Sequence, residues 1–200
     1  MMRKHFEYLK YAIRHKWFVF VACRECGVSL WRSIIHDWSK FLPCEWFAYV
    51  NEFYGDWKKV RDSEPDDFRY WNYRGPIEYA FKLAWNHHQK FNKHHWQYWL
   101  LTNDSDEPKH DALAMPEKYV LEMVADWWGA GKAITGNWQA VDWYQAHRNN
   151  IIIHDSTREM VENILSDSIP KFNKGCYWIG NKPELDFKDS IPEIQSGPKI

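Results

Sequence analysis

The chain has 200 residues, enough for one domain with a sizeable core. Its 26 basic and 27 acidic side chains leave a net charge near zero, which excludes a protein built to coat nucleic acid or an anionic membrane. Hydrophobic residues at 45% against charged residues at 26% exclude a disordered chain, and 14 Trp must find places around a core or a pocket.

Helical periodicity runs through the sequence, and no sustained strand alternation competes with it. A first helix is predicted from Arg3 to Cys26, stopped by Gly27. Its start has no secretory apolar core, and the apolar run Trp17–Cys23 is too short to cross a bilayer, so a cytoplasmic setting without membrane contact is expected. A second helix begins at Ser29, carries Leu30, Trp31, Ile34 and Ile35, and ends about His36-Asp37. Pro43 opens a third helix through Tyr54, closed by Gly55. Residues 56–75 read as a long connection, in which the aromatic and arginine tract Phe68–Gly75 could stack a base and hold a phosphate or simply pin a loop to the core. Pro76 starts a fourth helix to about Leu101, followed by a polar loop over Asn103–Ala114. Further helices are predicted from Pro116 to Gly129 or Gly131, over Trp138–Arg148, and from Ser156-Thr157-Arg158-Glu159, a capping-box pattern with Asp155 or Ser156 as N-cap. The expected fold is all-α, a single-domain bundle of about six or seven helices over residues 1–167, with an irregular extension over 168–200.

Four cysteines at 23, 26, 44 and 176 make no disulfide framework. Cys23-x-x-Cys26 lies within or at the end of a helix with no second such pair, so it reads as packing.

The chemistry lies in histidines and aspartates. His36-Asp37 joins an imidazole to a carboxylate, a mixed donor pair suited to a divalent cation. His15 shares an apolar face with Tyr8, Tyr11, Ala12, Phe18, Val19 and Ala22, where its ring needs a partner, be it a metal, a carbonyl or a carboxylate. Asp126 stands on the inward face of an apolar helix, so it needs a cation, a lysine such as Lys40, or an arginine. On the fourth helix His88 and His95 fall on the inner stripe with Ile77, Phe81, Ala84, Phe91 and Trp99. His87 and His94 flank that stripe and are expected at the surface or facing substrate. Lys40 would neutralise a bound carboxylate or hold a phosphate, and Glu45 stands near enough to move a proton.

The order His15, His36-Asp37-x-x-Lys40, His88, His95, Asp126 resembles the HD-domain superfamily of metal-dependent phosphohydrolases. The tracts His36–Phe41, Asn92–Trp99 and Met115–Trp127 also resemble an uncharacterised family carried by phages and prophages, which would set the protein in a bacterial host cell. The first resemblance implies one divalent ion (Mn, Mg, Fe, Co, Ni or Zn) on His15, His36, Asp37 and Asp126, with a second on His88 and His95 left open. It implies Asp37, Lys40 and His88 as catalytic groups, and Lys40, His87, His94 and Arg158 as clamps on a phosphorylated small molecule, a nucleotide above all. The spacing departs from dinuclear members, which draw the inner histidines from separated segments. Two other readings stay open: a mixed-valent di-iron oxygenase of HD type, and a non-enzymatic phage interaction protein on the same scaffold. A homo-oligomer is compatible with all three.

Overall fold

Two long amphipathic helices set the architecture. In the computed structural model, which describes residues 2–57, 68–102 and 110–172, α1 (Met2–Glu25) lies along α5 (Glu117–Thr135). They meet at backbone range: a Cβ on Gly129 would fall 2.5 Å from the Cα and backbone N of Val19, so only glycine permits the approach. Val19, Ala22 and Cys23 of α1 interleave there with Val120, Met123, Val124 and Trp128 of α5 in the main core. On its other side α1 meets α3 (Pro43–Tyr54), which packs on α4 (Phe68–Phe91) through a second cluster of Tyr8, Ala48, Tyr49, Val50 and Ala84. The short α2 (Leu30–Ile35) lies against α1, and α6 (Ala140–His147) and α7 (Asp155–Phe172) close the far face of α5. Among the described residues the fold is an all-α, single-domain bundle of seven helices with one small antiparallel pair, β1 (Leu100–Thr102) and β2 (His110–Ala112).

Several boundaries differ from the sequence expectation. Helix α4 begins at Phe68, with Pro76 inside it. Arg74 holds that early turn by pairing with both oxygens of Glu52 at 2.7 Å and lying over the Trp57 ring, a tertiary anchor that offsets the amide lost at proline. The same helix ends at Phe91, ten residues short of Leu101. The Asn92 side chain bonds back to the His88 carbonyl at 3.0 Å and to Ser39 Oγ at 2.9 Å, and the chain turns there. The region expected as a polar loop contains β2, and its partner β1 takes up Leu100–Thr102 where the helix was expected to end; both are too short to show alternation. Helix α5 passes Gly131 and stops at Gly136, which takes the left-handed conformation at φ 83°.

The last helix runs past residue 167, where an irregular extension was expected to begin. Helix α7 continues through Pro170, where Phe172 stacks on Trp128 at 4.6 Å and packs at a tilt against Trp138 at 4.8 Å. Its N-terminus is capped by His154, whose Nδ1 accepts the Ser156 N–H at 3.2 Å, in place of the expected Asp155 or Ser156. The remainder of the predicted extension, 173–200, lies outside the described residues, as do Cys176, residues 58–67 and the side chains of Phe68–Tyr73 in the aromatic and arginine tract. Cys23 is buried in the main core and its thiol is pushed up to about 12, while half-buried Cys26 is pushed to about 11. Both are free thiols, and burial makes them inert. No helix among the described residues is long and apolar enough to cross a membrane.

Candidate metal centre

The His36-Asp37 pair lies in a break in the chain, between α2 and a 3-10 turn over Trp38–Phe41. His36 ends α2 in an extended conformation, and Asp37 follows at φ 53°, the one non-glycine residue of positive φ among the described residues. Such a conformation costs an aspartate on the order of 1 kcal/mol or more, and it turns the carboxylate inward. Lys16 of α1 holds the break by donating to the carbonyls of Ile34 at 3.1 Å and His36 at 2.6 Å. The apolar side chains Leu30, Trp31 and Ile34 of α2 face outward.

Around Asp37 the structure gathers two groups of side chains that could hold a metal ion. On the side of Oδ2, His15 Nε2 and His36 Nε2 each lie 3.4 Å away. Asp126 Oδ1 completes that group at 3.4 Å from His15 Nε2 and 3.3 Å from His36 Nε2. On the side of Oδ1, His88 Nε2 lies 3.3 Å away and His94 Nε2 3.2 Å away, with His95 in the same group. Bonds of about 2.0–2.1 Å to one ion would separate tetrahedral ligand atoms by about 3.3–3.4 Å. These are the spacings found.

The unpaired atoms point the same way. Asp37 Oδ1 and Nε2 of His88, His94 and His95 are enclosed and have no well-aligned hydrogen-bond partner, despite their closeness. His88 and His94, 3.3 and 3.2 Å from Asp37 Oδ1 without an aligned hydrogen bond, converge on a common point, and leaving such buried polar atoms unmatched would otherwise be costly. Both groups could therefore hold a metal ion.

Electrostatics fits that purpose. Burial alone would raise the Asp37 carboxyl, yet the charges of His36, Lys40 and His88 hold it well below the usual carboxylate range. Asp126 is likewise depressed against its burial, by hydrogen bonding to His36 and by the charges of His36 and His15. Burial and the neighbouring His94 and His88 push His95 well below an ordinary imidazole, which leaves a neutral ring with a free lone pair. Lys40 places Nζ 2.6 Å from Asp37 Oδ2 and 3.4 Å from His15 Nε2, so it offsets carboxylate charge as expected of it.

Two buried glutamates surround the cluster. Glu45 bonds His87 Nδ1 at 2.7 Å through one oxygen and His88 Nδ1 at 2.9 Å through the other. Glu122 receives His36 Nδ1 at 3.1 Å and the Arg32 guanidinium. Carboxylates of this kind fix which imidazole nitrogen faces a metal. Glu122 escaped the sequence reading, although its position four residues before Asp126 puts it on the same helical stripe.

Of the expected substrate clamps Lys40 stays beside the cluster, and the other three fall elsewhere. His94 lies inside the cluster and not at the surface, because the chain leaves the helix after Phe91 and swings it inward. The same break leaves His88 on α4 and puts His94-His95 in the segment that follows it. His87 is half-buried and engaged with Glu45, and it lines a groove of about 430 Å³ between α3 and α4 with Pro43, Phe47 and Leu83. Arg158 is tied to the Tyr144 hydroxyl at 3.1 Å and the Ile151 carbonyl at 2.7 Å. It braces the α6–α7 corner and touches no member of the cluster.

Residues 4–167 match a family of unknown function (DUF5662). The chain belongs to that family. No curated protein and no solved structure matches it. DUF5662 brings no activity with it, so the chemistry has to be argued from the cluster.

Proposed function

We propose that this DUF5662 protein is a metal-dependent phosphohydrolase acting on a nucleotide or related phosphoester. The observation that carries the reading is the two-sided carboxylate of Asp37, with Oδ2 turned to His15 and His36 and Oδ1 turned to His88 and His94. His15, His36, Asp37 and Asp126 would hold one ion, and Asp37, His88, His94 and His95 a second. Five imidazoles against two carboxylates favour Mn, Fe, Co, Ni or Zn over Mg, which prefers oxygen. Ions bound there would lower the pKa of a water and stabilise the charge of a phosphoryl group in transfer.

The protein's own residues divide the remaining work. Asp126 and Lys40, with side chains 13% and 15% exposed, give the cluster an open edge along which a substrate approaches. Lys40 offers an ammonium charge to a phosphate oxygen there. Asp37 and Glu122 hold His36 in place, and Glu45 holds His88. The free thiols fit a reducing, cytoplasmic setting.

The test joins elemental analysis of protein purified without chelator to a hydrolysis assay against nucleotides and phosphomonoesters, each beside Asp37→Ala. Bound transition metal and phosphate release, both lost in the variant, are expected. A metal-free protein that takes up no added Mn²⁺ would sink the reading. The nitrogen-rich set also suits a di-iron oxygenase; a charge-transfer band from bound iron, with no phosphate release, would favour that alternative.

A further inference from the structure

Glu122 stands one helical turn before Asp126 on α5 and is only 4% exposed. Its Oε1 accepts a hydrogen bond from His36 Nδ1 at 3.1 Å and lies 3.5 Å from His94 Nδ1. His36 belongs to the ligands on one side of Asp37 and His94 to those on the other, and the two rings stand 4.4 Å apart. One carboxylate oxygen thus faces the outward nitrogen of a ligand from each half. Its second oxygen is held by Arg32, whose guanidinium also lies 4.4 Å over the Tyr119 ring.

His36, His94 and Glu122 are themselves close enough to hold an ion. Two features argue against that use. The Nε2 atoms of both rings already face Asp37, at 3.4 and 3.2 Å. Arg32 supplies a positive charge on the Glu122 side, where a cation would be repelled. A carboxylate that receives Nδ1–H leaves the lone pair on Nε2, directed into the cluster.

We propose that Glu122 is a positioning residue common to both halves of the centre, setting the tautomer and ring orientation of His36 and His94 together. The inference rests on the metal-centre reading and extends it from the ligands to the group that aims them. Glu45 differs in kind: it touches His87 and His88, so it serves the half around His88 alone.

Cobalt titration followed by visible absorption tests this, since the Co²⁺ spectrum reports ligand geometry and the titration reports affinity and stoichiometry. The wild-type protein is expected to load two ions. Glu122→Ala should weaken both by 10–100-fold and alter the spectrum, whereas Glu45→Ala should weaken one. Glu122→Gln, nearly isosteric, should fall between, because an amide oxygen still accepts one hydrogen bond; it decides the matter if the alanine variant does not fold. A wild type that loads two ions, with Glu122→Gln and Glu122→Ala matching it or weakening one ion alone, would overturn this inference and leave the metal centre standing. A wild type that takes up no cobalt would overturn the centre and this inference with it.

Discussion

Nε2 of His94 lies 3.2 Å from Oδ1 of Asp37, the oxygen turned away from His15 and His36. This contact makes Asp37 the hinge between the two candidate ligand groups, and it joins the break after α2 to the break after α4.

Replacing Asp37 should therefore empty both halves. Asp37→Ala is expected to lose all bound metal and turnover while keeping its helical circular dichroism. The backbone adds a second expectation. At φ 53° glycine is free of the strain that alanine suffers, so Asp37→Gly should melt higher than Asp37→Ala by the equivalent of about 1 kcal/mol. Equal melting temperatures would show that the position relaxes.

His94 and His87 separate the observed site from the helical-wheel expectation. His94→Ala removes a buried ring from the cluster and should lower metal stoichiometry by about one ion. His87→Ala removes a half-buried ring that touches Glu45, and should leave stoichiometry unchanged. Metal analysis of the two variants side by side decides it.

Metal affinity should rise with pH. Although burial opposes it, the charge of Asp37 and hydrogen bonds to Asp126, Asp37 and Glu122 raise the His36 imidazole well above its ordinary value. The raised value favours a protonated His36 in the ion-free protein, and a bound ion must expel that proton. Affinity strengthens as pH climbs toward the raised pKa and weakens below it, by up to about tenfold per unit for one proton. Asp37 and Asp126, held below the usual range, are already ionised and contribute no such slope. Calorimetric titration in buffers of different ionisation enthalpy would count the released protons; none released at pH 7 would contradict a charged His36.

The contact between α1 and α5 tolerates no side chain at Gly129. Gly129→Ala sets a methyl 2.5 Å from the Val19 backbone, which cannot yield as a side-chain tip can. A loss of about 1–3 kcal/mol is expected, with weakened metal binding as Asp126 shifts against His15. Denaturant unfolding and metal titration of one preparation would check both effects.

Periodicity alone was enough for the all-α class, for helix α3 with its proline start and glycine stop, and for the inward face that carries His15 and Asp126. Those features depend on local spacing and on the cost of burying a polar side chain, and both are written in the order of residues. The inward turn of His94 was not legible, because a helical stripe says which way a residue points only while the helix lasts. Here the helix ends where Asn92 bonds Ser39, a residue distant in the chain. Glu122 remained hidden for a related reason: its partners Arg32, His36 and His94 come from two other segments, and only packing brings them to one carboxylate. Sequence thus determined which side chains needed a partner, and tertiary structure decided which partner each received, because a buried charge is satisfied by whatever the fold sets within a few ångströms of it.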